Sequence, residues 1–111
     1  LRNAVEKWYR REAKKIIKKR VEFYKSKFNI EPNLIKIKEQ KKRWGSCTPS
    51  GVITFNTELI KAPTHCIDYV VLHELCHLVH VGHNAKFYHL LDVLMPDWKK
   101  RKERLEKVIL V

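Results

Sequence analysis

Cysteine is scarce in this chain of 111 residues, with only Cys47, Cys66 and Cys76. Three thiols cannot all pair within one chain, and none lies in a CxxC. That argues against a disulfide scaffold and for buried thiols in a reducing, cytoplasmic setting. Long apolar runs are absent too. None approaches the roughly 20 residues that span a bilayer, so no membrane partner is expected. No apolar signal core opens the chain, because Leu1 leads straight into a charged, amphipathic pattern. No initiating Met is present, which points to a trimmed or internal piece of a longer protein. Internal repeats and a Gly-rich phosphate loop are also missing.

Acidic residues are few: 12 Asp and Glu stand against 24 Lys and Arg, giving a net charge of +12. The excess is blocked. Residues 1–28 hold 11 of the 24 cations with Glu6, Glu12 and Glu22, and KKRKERLEK at 99–107 adds six more with two glutamates. Such blocks attract polyanions, nucleic acid among them, although Lys and Arg often do no more than solvate a helix. Hydrophobic residues make up 44% and charged residues 32%, an ordinary globular balance for one domain over 1–111.

The hydrophobic pattern predicts α+β. Val5, Tyr9, Ala13, Ile16, Ile17, Val21, Tyr24 and Phe28 recur at three- and four-residue steps, so 1–28 reads as one long helix. Trp8 and Trp98 read as core or boundary anchors. LIKIK at 34–38 alternates as a half-exposed strand does. RWGSC and VITFN flank the turn residues Pro49, Ser50 and Gly51. Two or three strands are expected, antiparallel because the link is short. Thr64 is the expected N-cap of a helix running to about Val81 and stopped by Gly82. Asn84 can cap a further helix over 85–95, and Pro96 breaks the chain before a last helix from Trp98.

Four of the six histidines crowd into HELCHLVHVGH, residues 73–83. Residues four apart share a helix face, so His73 and His77 can grip one ion while Val71, Leu75, Leu78 and Val79 face the core. Glu74 sits beside the pair, as the HExxH pattern requires of a carboxylate acting on water. Catalytic zinc takes a third protein ligand and keeps one position open. His80 lies about 10 Å along a straight helix from His73. His83 would lie farther still, but Gly82 can swing it back. His83 is therefore favoured over His80, His89 or an acid. Cys76 is rotated off the ligand face and reads as a small buried filler. His65, at a helix start, should face solvent.

RWGSC, FNTELIKAP, IDYVVLHELCHL and GHNAKF, in that order, resemble the YgjP-like metallopeptidase family, with a zincin-like core, over roughly residues 5–107. The resemblance implies zinc on His73, His77 and His83, Glu74 as general base, and a site shaped by Arg43, Trp44, Gly45, Ser46 and Cys47. This sequence has Asn84 where Ser is common and Tyr88 where Trp is common. It lacks the family's usual N-terminal extension, so it reads as the C-terminal catalytic part.

The implied enzyme is a zinc-dependent hydrolase acting on a peptide or protein. Glu74 takes the proton of a zinc-activated water and passes it to the leaving amine. Arg43, Tyr88, His80 and His89 are candidates to hold the oxyanion, and Arg43, Trp44 and Tyr88 to touch substrate. The RWGSC segment is the candidate sheet edge for a peptide to join. The competing readings are a nucleic-acid-associated module with a structural, four-ligand metal site, and a hydrolase of a non-peptide bond such as a phosphoanhydride.

Overall fold

A computed structural model describes residues 2–108. Helix α1 (Arg2–Phe28) leads into strand β1 (Leu34–Lys38), strand β2 (Gly45–Cys47) and strand β3 (Val52–Asn56). A 3-10 helix (Thr57–Lys61) then precedes α2 (Thr64–Cys76), α3 (Ala85–Leu94) and α4 (Trp98–Glu106). The class is the α+β expected.

The sheet is mixed, and this corrects the expectation of antiparallel pairing throughout. β2 and β3 form the expected hairpin, with Ser46 opposite Thr54, and Gly51 turns it at φ 86°. β1 runs parallel to β3, with Lys36 opposite Thr54, and the order is β1-β3-β2. The short-link rule governs only the hairpin. Between Lys38 and Val52 the chain reverses twice, so β1 and β3 end up pointing the same way. β2 is left as an edge strand.

Burial follows the α1 pattern only in the second half of that helix. Ala13, Ile17, Val21 and Tyr24 are buried, but Val5, Trp8 and Tyr9 are exposed. Val5 and Tyr9 border an open hollow against Ile60 and Lys61 of the 3-10 helix instead of closing on the core, and Trp8, on the outer face of α1, is not the anchor expected of it. Arg20 clamps α1 to α2 by donating to both oxygens of Asp68 at 2.6 and 2.9 Å, and the Tyr24 hydroxyl donates to the same carboxylate at 2.9 Å. Trp98 is buried, as expected of an anchor.

α2 stops at Cys76, five residues short of the expected end, and Thr64 is not its cap; Pro63 stands at that position. Tight turns follow, with Leu78 N–H on Leu75 O and Val79 N–H on Cys76 O, each at 3.0 Å. Val79 therefore leaves the core and is 51% exposed, whereas Val71 and Leu75 are fully buried. Gly82 takes φ 79°, as the bend required. Cys66 and Cys76 are buried thiols, but Cys47 is half-exposed on β2, and His65 is exposed. Among the described residues, no helix is long and apolar enough to cross a membrane.

Candidate metal centre

His73 and His77 occupy the last turn and C-cap of α2, and the Gly82 bend carries His83 back toward them. Their ring nitrogens converge. His73 Nε2 lies 3.1 Å and His77 Nε2 3.0 Å from His83 Nε2. Among the described residues, this is the group of three or more His, Cys, Asp or Glu side chains arranged to hold an ion. A tetrahedral zinc with ligands at about 2.0–2.1 Å would hold its nitrogens roughly 3.3 Å apart, so the spacing fits.

Tautomers sharpen that fit. His77 Nδ1 stands 3.3 Å from the carbonyl of His80. A carbonyl only accepts, so the proton is on Nδ1 and Nε2 is a bare lone pair. His73 Nδ1 stands 3.4 Å from the Tyr69 hydroxyl, a long contact that serves the same tautomer when Nδ1–H donates. With that tautomer at both rings, three nitrogens face one another with at most one proton among them, an arrangement suited to a cation.

Charge points the same way. Burial first, then His77, His83 and Lys102, hold the His73 ring down to about 3. Burial lowers His77 as well, partly opposed by its bond to the His80 carbonyl. Neutral rings are the form that binds metal.

Aromatic packing fixes the rings. Phe87, fully buried on α3, stacks on His77 with centroids 4.3 Å apart and lies 5.0 Å from His73 and 5.2 Å from His83. Asn84 caps α3 by accepting from the Phe87 N–H at 3.0 Å, so an Asn performs the capping role open to Ser. Around the rim, Tyr69 stacks on Trp98, Trp98 on Tyr88 and Tyr88 on His83.

Glu74 is 6% exposed, and burial pushes its carboxyl up to about 7 against the pull of Arg43. β2 presses on it. A Cβ at Gly45 would stand 3.1 Å from Glu74 Cγ and 3.3 Å from its Oε2, so any larger residue would have to push the carboxylate side chain by a few tenths of an ångström. Buried Asn56 holds the preceding loop, its Nδ2 donating to the carbonyls of Gln40 and Arg43 at 2.9 Å each.

A cleft of about 370 Å³ joins these parts, with Arg43 and the β2 edge on one side and His83 on the other. A second hollow of about 220 Å³ reaches from His73 and Glu74 past Trp44 and Tyr69 to Lys102. A larger hollow, about 750 Å³, lies by the start of α1, and no histidine lines it.

The geometry thus brings together His73, His77, His83, Glu74 and Arg43, with Trp44 and Tyr88 beside them. His80 enters through its carbonyl, and its ring lines another surface hollow with His89. Cys76 is in the core. Tyr69, Phe87, Asn56 and Gly45's steric role were not foreseen. Only Tyr69 left a signal, one turn before His73 on the same face.

Residues 1–108 match the model of the YgjP-like metallopeptidase domain. The chain belongs to the YgjP-like metallopeptidase family. It is therefore a metal-dependent hydrolase of metallopeptidase type. Two solved metallopeptidase zymogens share its fold. Jannalysin of Methanocaldococcus jannaschii is 21% identical with a TM-score of 0.69, over 82% of this chain and 94% of that one. Abylysin of Pyrococcus abyssi is 19% identical with a TM-score of 0.70, over 80% of this chain and 90% of that one. No curated protein matches the chain. Membership makes the expected family resemblance a finding over nearly the whole sequence.

Proposed function

We propose that this family member is a cytoplasmic, zinc-dependent peptidase, with His73, His77 and His83 holding the ion through Nε2 and Glu74 as general base. The observation that carries the reading is the convergence of three Nε2 atoms within 4.8 Å beside one buried carboxylate. Zinc, when bound, supplies a Lewis acid that brings the pKa of a coordinated water toward neutrality.

The chain's own groups do the rest. Glu74 takes the proton of the attacking water and delivers it to the leaving amine, a role its raised pKa suits. Arg43, close enough to pull on Glu74, faces the cleft as the cation for an oxyanion or a substrate carboxylate.

β2 supplies the substrate platform. Trp44 O accepts from Asn56 N–H and Thr48 N–H donates to Val52 O, so even-numbered residues face β3. By alternation, Gly45 and Cys47 direct their N–H and C=O groups outward, where an extended peptide can add as a strand. Trp44 and Tyr88 flank that strand as apolar contacts.

The test is Glu74→Gln, read by zinc content and by casein hydrolysis. Zinc retained at one per chain with turnover lost is the expected result. Unchanged turnover would remove Glu74 as the base. Cleavage of a phosphoanhydride but of no peptide or protein would overturn the substrate class.

A further inference from the structure

Along the outer face of α1, Trp8, Arg11, Lys15 and Lys19 follow one another at three- and four-residue steps. At about 100° per residue, they form one row pointing away from buried Ala13, Ile17, Val21 and Tyr24. Lys7, Lys14 and Lys18 form a second row beside it. All seven side chains are exposed, and Trp8 has 49% of its surface in solvent. Residues 7–19 hold seven cations and a single acid, Glu12, which pairs with Lys15 at 3.3 Å. Among the described residues, Lys7, Arg11, Lys14, Lys18 and Lys19 form no ion pair.

The rows lie away from the metal centre. Asp68 meets α1, while His73 and His77 are about 140° and 180° round α2 from it. A partner lying along α1 therefore leaves the cleft open. A stripe with seven cations and one acid, Glu12, already paired with Lys15, keeps a strong positive excess and selects a polyanion. An exposed indole set among the cations adds a face on which an unpaired base can stack.

We propose that the outer face of α1 binds single-stranded nucleic acid, its Lys and Arg rows tracking the phosphates and Trp8 stacking a base. The surface acts apart from the proposed chemistry, as a tether that holds the hydrolase to nucleic acid.

The test measures binding of the chain to a fluorescein-labelled oligothymidylate by anisotropy across a salt series. Binding that weakens steeply with salt is expected. In Arg11→Ala/Lys15→Ala/Lys19→Ala the log–log salt slope should flatten by about 2, since each single-strand phosphate contact is worth roughly 0.7. Trp8→Ala should weaken binding roughly tenfold. Both variants should keep the wild-type circular dichroism and casein turnover, which separates a lost surface from a lost fold. Glu74→Gln should bind the oligonucleotide like wild type, so failure of the enzyme reading and failure of the surface are distinguishable. The proposal is overturned by any of three results: salt-independent or absent binding, variants that bind as wild type, or polyglutamate or duplex competing as well as the strand.

Discussion

Gly45 on β2 lies against Glu74 on α2 so closely that a methyl group there would meet the carboxylate side chain at 3.1 Å. The edge strand and α2 are fitted to each other at this point. Gly45→Ala should displace the Glu74 carboxylate while leaving the three imidazoles in place. Zinc content should stay at one per chain, kcat should fall at least tenfold, and overpacking should cost roughly 1–2 kcal/mol of stability. Turnover beside metal analysis separates the effects. A normal kcat would show that the carboxylate tolerates the move.

Tyr69 supports His73 from behind at 3.4 Å and rests on Trp98. Tyr69→Phe keeps the ring and its stacking but removes the acceptor for the His73 Nδ1–H. Zinc affinity, read by chelator competition, should drop about 10-fold or more, with the melting temperature of the metal-free protein nearly unchanged. Equal affinity in the two proteins would mean that ring packing alone sets the tautomer.

Asp68 accepts from both Arg20 and Tyr24 and is largely buried. Asp68→Ala leaves a partly buried guanidinium and a buried phenol without their acceptor. Arg20 keeps some solvent access, so the loss should be roughly 2–3 kcal/mol rather than that of a fully buried pair. Urea denaturation would report it, with per-molecule activity of the folded fraction preserved.

The buried carboxyl also gives the metal-free protein a pH signature. Glu74 is raised from 4.5 to about 7 in the fold, so between those values the native state holds more protons than the unfolded one. Stability therefore falls as pH rises through that window. Replacing the carboxylate abolishes this contribution. Glu74→Gln should gain on wild type as pH rises from 4.5 to 7, by up to about 3 kcal/mol. His73 works in the other direction. Its ring is lowered from 6.5 to about 3, so the unfolded chain takes the proton first and stability is lost as pH falls through that range. Denaturation of both proteins in chelator across these windows checks the two signs. A pH-independent difference between them would contradict the burial of Glu74.

Much of the site was legible in the chain. The i, i+4 spacing of His73 and His77 fixes their common face on any helix, and a glycine before His83 is what a returning loop needs. The four helix positions, the β2–β3 hairpin and the cap at Asn84 follow from periodicity and turn chemistry. Less legible was where a pattern ends. The apolar steps of Val5 and Tyr9 continue the stripe of α1 to where it meets the 3-10 helix only across an open hollow, and α2 gives way to tight turns at Cys76 although its hydrophobic run goes on to Val81. Nothing local separates a stripe that meets a core from one that does not.

The sequence by itself determined that His73 and His77 share one helix face with Glu74 beside them, because helix geometry is a property of spacing alone; that the His83 ring, among the third-ligand candidates, comes within reach of that pair is seen only in the fold. Only the tertiary structure decided that β1 lies parallel to β3, that β2 offers its free edge to the cleft, that Phe87 from another helix seals the three rings, and that Gly45 yields space to Glu74. Each of those depends on contacts between segments distant in the chain, and such contacts are settled by packing and backbone hydrogen bonding across the whole fold.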